Sequence, residues 1–495
     1  MTAAFYFLFF LGLTATGLLG PDEPRYAAIG REMARSGDWV TPRLWGEPWF
    51  EKPALVYWMT GLAFRAGLGE EMAPRLPVAL MGAAFLLFYY WILRREFGSR
   101  AAFFATAILG TSAAWLGLSH VGVTDLPMTA AFSAAMLLGL RLVGRPLPDG
   151  RGSEGVSEPR ALASGVPAGA LLGLAVLAKG LVPLVLALPL VWMARRRLKQ
   201  LLDPAVIAAF LLVAGPWYVL CALANGPRFL EEFFLKHHFS RVWSGVLQHE
   251  QPVWFYVPVL MAGLFPWTPL VALLFRRSAY RDARRRFLLL WALFGLVFFS
   301  LTVNKLPGYL LPLVPAVSAL MGLELTEAKR ARGLLAGCAL LLALLPLAAA
   351  VLPGALLEGL RRAAVGEVRW VASAPAVILA VAVWRLEAGG RRVAAVAALV
   401  AAMTAGAVWL KLTTFPVLDR TVSARACWRQ ISSQAHEICV EAGNRGWLYG
   451  LNYYAVTPLP DCETEPRRLR LRQAGGAARL EAKPGTATNS NYGNW

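Results

Sequence analysis

The chain has 495 residues, 57% of them hydrophobic, with a mean hydropathy of +0.52 and a formal net charge of +19. That hydropathy excludes a soluble globular domain, and many apolar runs reach the roughly 20 residues a helix needs to cross the hydrocarbon core. The charge does not signal nucleic acid, because the basic clusters recur between apolar runs, at Arg94-Arg95, Arg195-Arg196-Arg197, Arg284-Arg285-Arg286, Lys329-Arg330-Arg332 and Arg391-Arg392, which is the positive-inside pattern.

Length and loop charge predict about 13 membrane spans. The first, over about 3–20, lacks the basic flank and small-residue cleavage site of a signal peptide. A polar loop follows, from 21 to about 72, that sets Asp22, Glu23 and Glu51 beside Arg25 and Lys52 and interleaves Trp39, Trp45 and Trp49. Acids at its start, Pro24 at the first helical position and Gly37 after Arg35-Ser36 predict a short helix over 24–36. The aromatic-rich stretch Pro53–Leu68 is too short to span and is expected to lie in the interface.

Spans two to four are expected at about 76–93, 101–118 and 127–143, with His120, Thr124 and Asp125 in the exit loop of the third. The Gly-, Pro- and Ser-rich segment 145–161 is expected to be a flexible cytoplasmic insertion without chemistry. Spans five and six, at about 163–178 and 181–194, pinch together around Lys179-Gly180, and a seventh covers about 204–222. A second external polar loop, 223–252, carries His237, His238, Arg241 and His249. The remaining spans fall at about 254–275, 287–303, 310–323, 333–352, 370–386 and 393–410, with the turn Asn304–Tyr309 between the ninth and tenth. Residues 1–410 are thus expected to form a transmembrane domain and 411–495 a periplasmic C-terminal domain, a small α/β fold whose last stretch, GTATNSNYGNW, reads as disordered. An external tail permits a disulfide among Cys427, Cys439 and Cys462, with one thiol left over.

The basic clusters follow every second span, so those loops and the N-terminus face the cytoplasm. Loop 1, the Asp125 loop, Lys179, the histidine loop, Lys305 and the tail then share the external side, and that grouping is what gives the individual residues chemical meaning. Asp22 is either the N-cap of the short helix, a place Glu23 could take instead, or a carboxylate that takes a proton from an acceptor hydroxyl or holds the acceptor in line. Asp125 is either the cap of the fourth span or a site residue. Glu51-Lys52 is either a surface ion pair of little worth or a phosphate and cation site. Lys179 is either a snorkelling lysine or part of the site. His237 and His238 match no standard zinc spacing, and Arg241 and Lys305 are cations suited to gripping a phosphate.

The segment DEPRYAAIGREMARSGDWVTPRLWGEPWFEKPALVYW resembles the first external loop of the bacterial GT-C glycosyltransferases related to the lipid A aminoarabinose transferase and the protein O-mannosyltransferases. APRLP, LAKG, HHFSRV, QPVWFYVPVL, FPW and NKLPGYLLPLVP are similar to later stretches of that family, in the same order over about residues 1–325. The resemblance implies an all-α polytopic GT-C fold and a polyprenyl-phosphate sugar as donor. It implies Asp22 and Asp125 as catalytic residues, and Lys52, Arg241, Tyr309, Lys305 and Arg25 as the grip on the donor phosphate. Glu51 and His238 are expected at a divalent metal (Zn, Mg or Mn) or at that phosphate, with His237 standing where the family usually has an acid. The expected function is an inverting sugar transfer from a polyprenyl (undecaprenyl) phosphate to a lipid A-like or protein acceptor at the periplasmic face of the inner membrane. A flippase for lipid-linked sugars is the alternative from another class, though it would place ionisable groups at mid-membrane depth in repeated halves; a lipid-linked sugar polymerase or ligase is the nearer rival.

Overall fold

A computed structural model describes residues 2–144, 159–233, 250–441, 443–474 and 477–482. The chain is mainly helical. Among the described residues, seven helices are long and apolar enough to cross a bilayer, and an eighth crossing results if a pair bent by 114°, Val253–Gly263 and Thr268–Phe275, counts as one span.

The first expected span is broken. Helix α1 covers Thr2–Phe9 only, and residues 10–19 run in turns through Gly12, at φ +80. Carbonyls that a broken helix leaves unpaired in an apolar setting need donors, and two buried cations supply them. Lys411 Nζ donates to the carbonyls of Phe7 and Leu8, both at 2.9 Å. Arg75 donates to those of Leu13, Thr16 and Gly17 at 2.7–2.9 Å.

Loop 1 follows the sequence closely. Helix α2 covers Asp22–Ser36 and ends on Gly37 at φ +76, whose N–H returns to the Met33 carbonyl. Glycine there avoids the Cβ clash of the left-handed conformation. A tight hairpin of β1 (Arg43–Leu44) and β2 (Glu47–Pro48) then turns on Trp45 and Gly46, both at positive φ. Helix α3, Leu55–Arg65, is the expected short segment. It packs on α2 through Gly30 and Gly61, where an added Cβ would come within 2.7 Å of Thr60 or 2.9 Å of the Gly30 carbonyl.

Beyond the loop, α4 is Met72–Phe97. The expected third span is split into α5, Ser99–Gly110, and α6, Ala113–Leu118. The break is held from outside: Trp267 Nε1 donates to Thr111 Oγ1, and Ala113 N–H to the Phe265 carbonyl. The same Phe265-Pro266 segment separates the two halves of the bent pair, so the straight span expected at about 254–275 is not formed. Helix α7 is Asp125–Gly144 and α8 is Pro159–Lys179. The helix from Pro204 breaks at Gly226, at φ +59, close to the expected end of the seventh span, and a further helical stretch in the second polar loop runs on to Leu230. The last long helix, Arg392–Thr421, overruns its expected end. Most of the 145–161 insertion and the C-terminal GTATNSNYGNW lie outside the described residues.

The C-terminal segment combines helices Arg425–Ile431 and Arg445–Ala455 with a three-stranded sheet. Strand β3 (Ile438–Val440) pairs in parallel with β4 (Leu469–Ala474), which pairs antiparallel with β5 (Ala477–Ala482). Cys427, Ile431, Val440, Trp447, Leu451 and Leu469 share their core. Cys439 and Cys462 form a disulfide, and Cys427 is the thiol left over.

Candidate active site

The α2 start places Asp22 and Arg25 one turn apart, so their side chains meet on one face. Arg25 pairs with Asp22 and, at 2.9 Å, with Glu51, and Lys52 lies 3.4 Å from the other Glu51 oxygen. Asp22 caps nothing with its side chain; the helix starts without a side-chain cap. Arg25 and Glu51 are buried, each with 5% of the side chain exposed, whereas Asp22 keeps 44%. An aromatic wall surrounds the guanidinium, with ring centroids of Tyr449 at 5.1 Å, Trp49 at 5.6 Å and Tyr26 at 5.9 Å. Burial opposes the Arg25 charge, but Glu51 and then Asp22 outweigh it and hold the pKa above the usual arginine value. Trp45, at the hairpin tip, stacks on Tyr449 with centroids 5.7 Å apart, so the C-terminal segment forms part of this wall.

A second cluster gathers around Asp125, the first residue of α7. Lys179, the last residue of α8, donates to Asp125 Oδ1 at 2.6 Å and lies 4.9 Å from the Tyr309 ring centroid. Gly308 presents bare backbone to the same carboxylate, and a Cβ there would stand 2.8 Å from Asp125 Oδ1. Lys179 is therefore the partner of Asp125 rather than a snorkelling lysine. Lys305 is buried and donates to the Thr302 carbonyl, which directs it to its own turn.

The link between the clusters is a pair that the sequence reading did not bring together. Glu23, next to Asp22, is fully buried and bonds Arg75 through both oxygens, and it accepts the N–H of Gly122 at 2.8 Å, three residues before Asp125. The signal for Arg75 was present in APRLP, a charge at the start of an apolar span; the signal for Glu23 was masked by its neighbour.

Among the described residues no group of three or more His, Cys, Asp or Glu is placed to hold a metal ion. Glu51 faces two cations, Arg25 and Lys52, and its expected partner at a metal, His238, lies outside the described residues, so no chemical step is assigned to a metal. His237, His238 and Arg241 lie outside the described residues.

Residues 1–229 match the family model for dolichyl-phosphate-mannose-protein mannosyltransferase. The chain is 35% identical over 338 residues to the undecaprenyl phosphate-alpha-4-amino-4-deoxy-L-arabinose arabinosyl transferase 2 of Pseudomonas fluorescens, covering 66% of this chain and 56% of the relative. It is 34% identical over 337 residues to the corresponding transferase of Pseudomonas aeruginosa, covering 66% and 59%. These matches thus span less than three-fifths of the relatives' length. In fold, the chain is similar to the crystal structure of ArnT from Cupriavidus metallidurans bound to undecaprenyl phosphate, with a TM-score of 0.74, 26% identity, and 95% of this chain and 92% of that one covered. The archaeal oligosaccharyltransferase AglB from Archaeoglobus fulgidus shares the fold alone, at a TM-score of 0.51 and 13% identity, over 95% of this chain and 68% of that one.

Proposed function

From the premise that this chain, in sequence and in fold, resembles the GT-C glycosyltransferases of the aminoarabinose transferase type, we propose that it moves a sugar from a polyprenyl (undecaprenyl) phosphate to a lipid A-like or protein acceptor. The observation that carries the reading is the Asp22–Arg25–Glu51–Lys52 cluster in loop 1, on the segment where the family resemblance is longest. The names of the relatives favour a transferase over a flippase.

The reaction is an in-line displacement. The acceptor oxygen attacks the anomeric carbon, the bond from that carbon to the phosphate oxygen breaks, and the lipid phosphate leaves with the bonding pair. A phosphate is already a stable anion, so it needs cations to receive it rather than an acid to protonate it. Arg25 and Lys52 supply positive charge at the first cluster, and Lys179 does so at the second, where the Tyr309 ring lies beside it and its hydroxyl is a further candidate for the phosphate. Arg241 and Lys305 are further candidates for the phosphate. Asp22, the most exposed carboxylate of its cluster, takes the acceptor proton or holds the acceptor in line. Asp125, fixed by Lys179, is the second catalytic carboxylate. One displacement inverts the anomeric centre.

The protein is a multi-pass membrane protein, and we place the site on its external, periplasmic face. The charge pattern supports this, as does the Cys439–Cys462 disulfide, which belongs to an oxidising compartment. We count about 13 crossings by including the broken and short segments, and we take residues 411–495 as a periplasmic domain.

The test compares purified wild type with Asp22→Asn in lipid, using a radiolabelled polyprenyl-phosphate sugar. Wild type is expected to transfer label to a lipid or protein fraction, and the variant to lose transfer about 10²–10⁴-fold while keeping the same melting temperature. Label that only changes leaflet, equally in both proteins, would sink the transferase reading in favour of the flippase.

A further inference from the structure

At the far end of the helical bundle from Asp125, a cavity of about 590 Å³ opens between the C-terminal end of α7, the turn Arg195–Arg197 and the helix Ala283–Leu301. Leu142 on its wall lies 17 residues along α7 from Asp125, or about 25 Å at the helical rise. Four arginines line it, Arg195, Arg196, Arg197 and Arg286, with no acidic side chain among the described lining residues.

Two contrasts separate this cavity from an ordinary basic loop. The neighbouring arginines are neutralised: Arg284 pairs with Asp282 and Glu96, and Arg285 with Glu324 and Glu327. Among the described residues, Arg195, Arg196 and Arg286 have no carboxylate partner. The cavity also has apolar walls, and it adjoins a surface that faces lipid, where Leu188, Val191 and Trp192 are exposed. Arg195 lies 5.0 Å from the Trp192 ring centroid, and Arg197 donates to the Leu142 carbonyl at 2.6 Å, so the rim is held in place. Topological signalling asks only that arginines stand at this end; it does not ask two segments distant in sequence to line one cavity.

We propose that this cavity binds an anionic phospholipid of the adjacent leaflet, with its phosphate among Arg195, Arg196 and Arg286 and the start of its acyl chains against the apolar wall. The chemistry is that of basic pockets between transmembrane helices. It sits at the opposite end of the bundle from the transfer site and does not depend on that reading.

The test is native mass spectrometry of the full-length protein in detergent with added cardiolipin, phosphatidylglycerol or phosphatidylcholine. Wild type is expected to retain the two anionic lipids and not phosphatidylcholine. The double variant Arg195→Gln, Arg196→Gln is expected to weaken retention roughly thirtyfold. Since charge removal can disturb insertion, Leu289→Trp, which fills the cavity and leaves every arginine in place, is expected to lower retention as well. Equal retention of phosphatidylcholine, unchanged retention in both variants, or displacement of the lipid by millimolar inorganic phosphate would each overturn the proposal.

Discussion

Glu23 and Arg75 bond through two parallel contacts, Nε to Oε1 at 2.7 Å and Nη2 to Oε2 at 2.8 Å, with 0% and 2% of their side chains exposed. Such fork-to-fork geometry fixes direction as well as distance. Through it, one ion pair ties together the turns after α1, the first turn of α2, the start of α4 and the turn before Asp125. Both proposed catalytic aspartates therefore hang from the same buried clasp.

Removing one member of that clasp leaves the other charged and without its counter-ion. Glu23→Gln or Arg75→Met is expected to cost about 3–5 kcal/mol, seen as a lower melting temperature in detergent. The double variant Glu23→Leu, Arg75→Met should be less harmful than the sum of the single changes, because it leaves no uncompensated charge. Single variants within about 0.5 kcal/mol of wild type would show that the clasp does not hold the fold.

Gly308→Ala tests the second cluster with one methyl group. Its Cβ would stand 2.8 Å from Asp125 Oδ1 and push the carboxylate off Lys179. A displacement of about 1 Å at a reacting centre costs about a hundredfold, so kcat/KM for sugar transfer should fall by that order while the melting temperature holds. Lys179→Met should fall similarly and Lys179→Arg less, since arginine keeps the charge. Full activity in Gly308→Ala would remove Asp125 from the site.

His120 sits in the turn between α6 and α7, its Nδ1 2.9 Å from the Leu116 carbonyl. Burial, and then the nearby Lys411 charge, push its pKa from 6.5 down to about 3. The folded protein thus refuses a proton that the unfolded chain accepts between those values, and stability falls as the pH drops from about 6.5 towards 3, by at most ~1.4 kcal/mol per pH unit. A melting series over that window should show this slope in wild type and a shallower one in His120→Gln. Identical slopes would assign the acid sensitivity to other groups.

The Cys439–Cys462 disulfide closes a segment with a sequence separation of 23. Cys439→Ala with Cys462→Ala, or reduction of wild type, is expected to cost about 2–4 kcal/mol. The loss should appear as earlier protease cleavage after Thr421. The helix Arg445–Ala455 also supplies Tyr449 to the Arg25 wall and the Tyr453 carbonyl to Arg31, so transfer should decline in parallel. An unchanged cleavage pattern would mean the sheet stands without the bridge.

Much was decided by the sequence alone, because its determinants are local. Gly37 sets the C-terminal limit of α2 through backbone conformation, as expected, whereas the helix begins at Asp22, two residues before the expected Pro24. Long apolar runs give the membrane helices, since lipid leaves the backbone no partner but itself. Asp22, Arg25, Glu51 and Lys52 were recognisable as a group because they are near in sequence and share one polar loop.

Tertiary structure decided what depends on contacts between distant segments. The break after Phe9 and the split at Thr111 look like plain spans in an apolar pattern; they persist because Arg75, Lys411 and Trp267, from remote segments, bond the groups that the breaks expose. Lys179 read as a lone charge until α8 brought it to Asp125, 54 residues away. Glu23 and Asp22 are adjacent and chemically alike, yet one faces Arg75 in the interior and the other looks outward. Helix geometry turns neighbouring side chains in different directions, and only the packing around α2 determines which carboxylate is buried as structure and which is left exposed for the proposed chemistry.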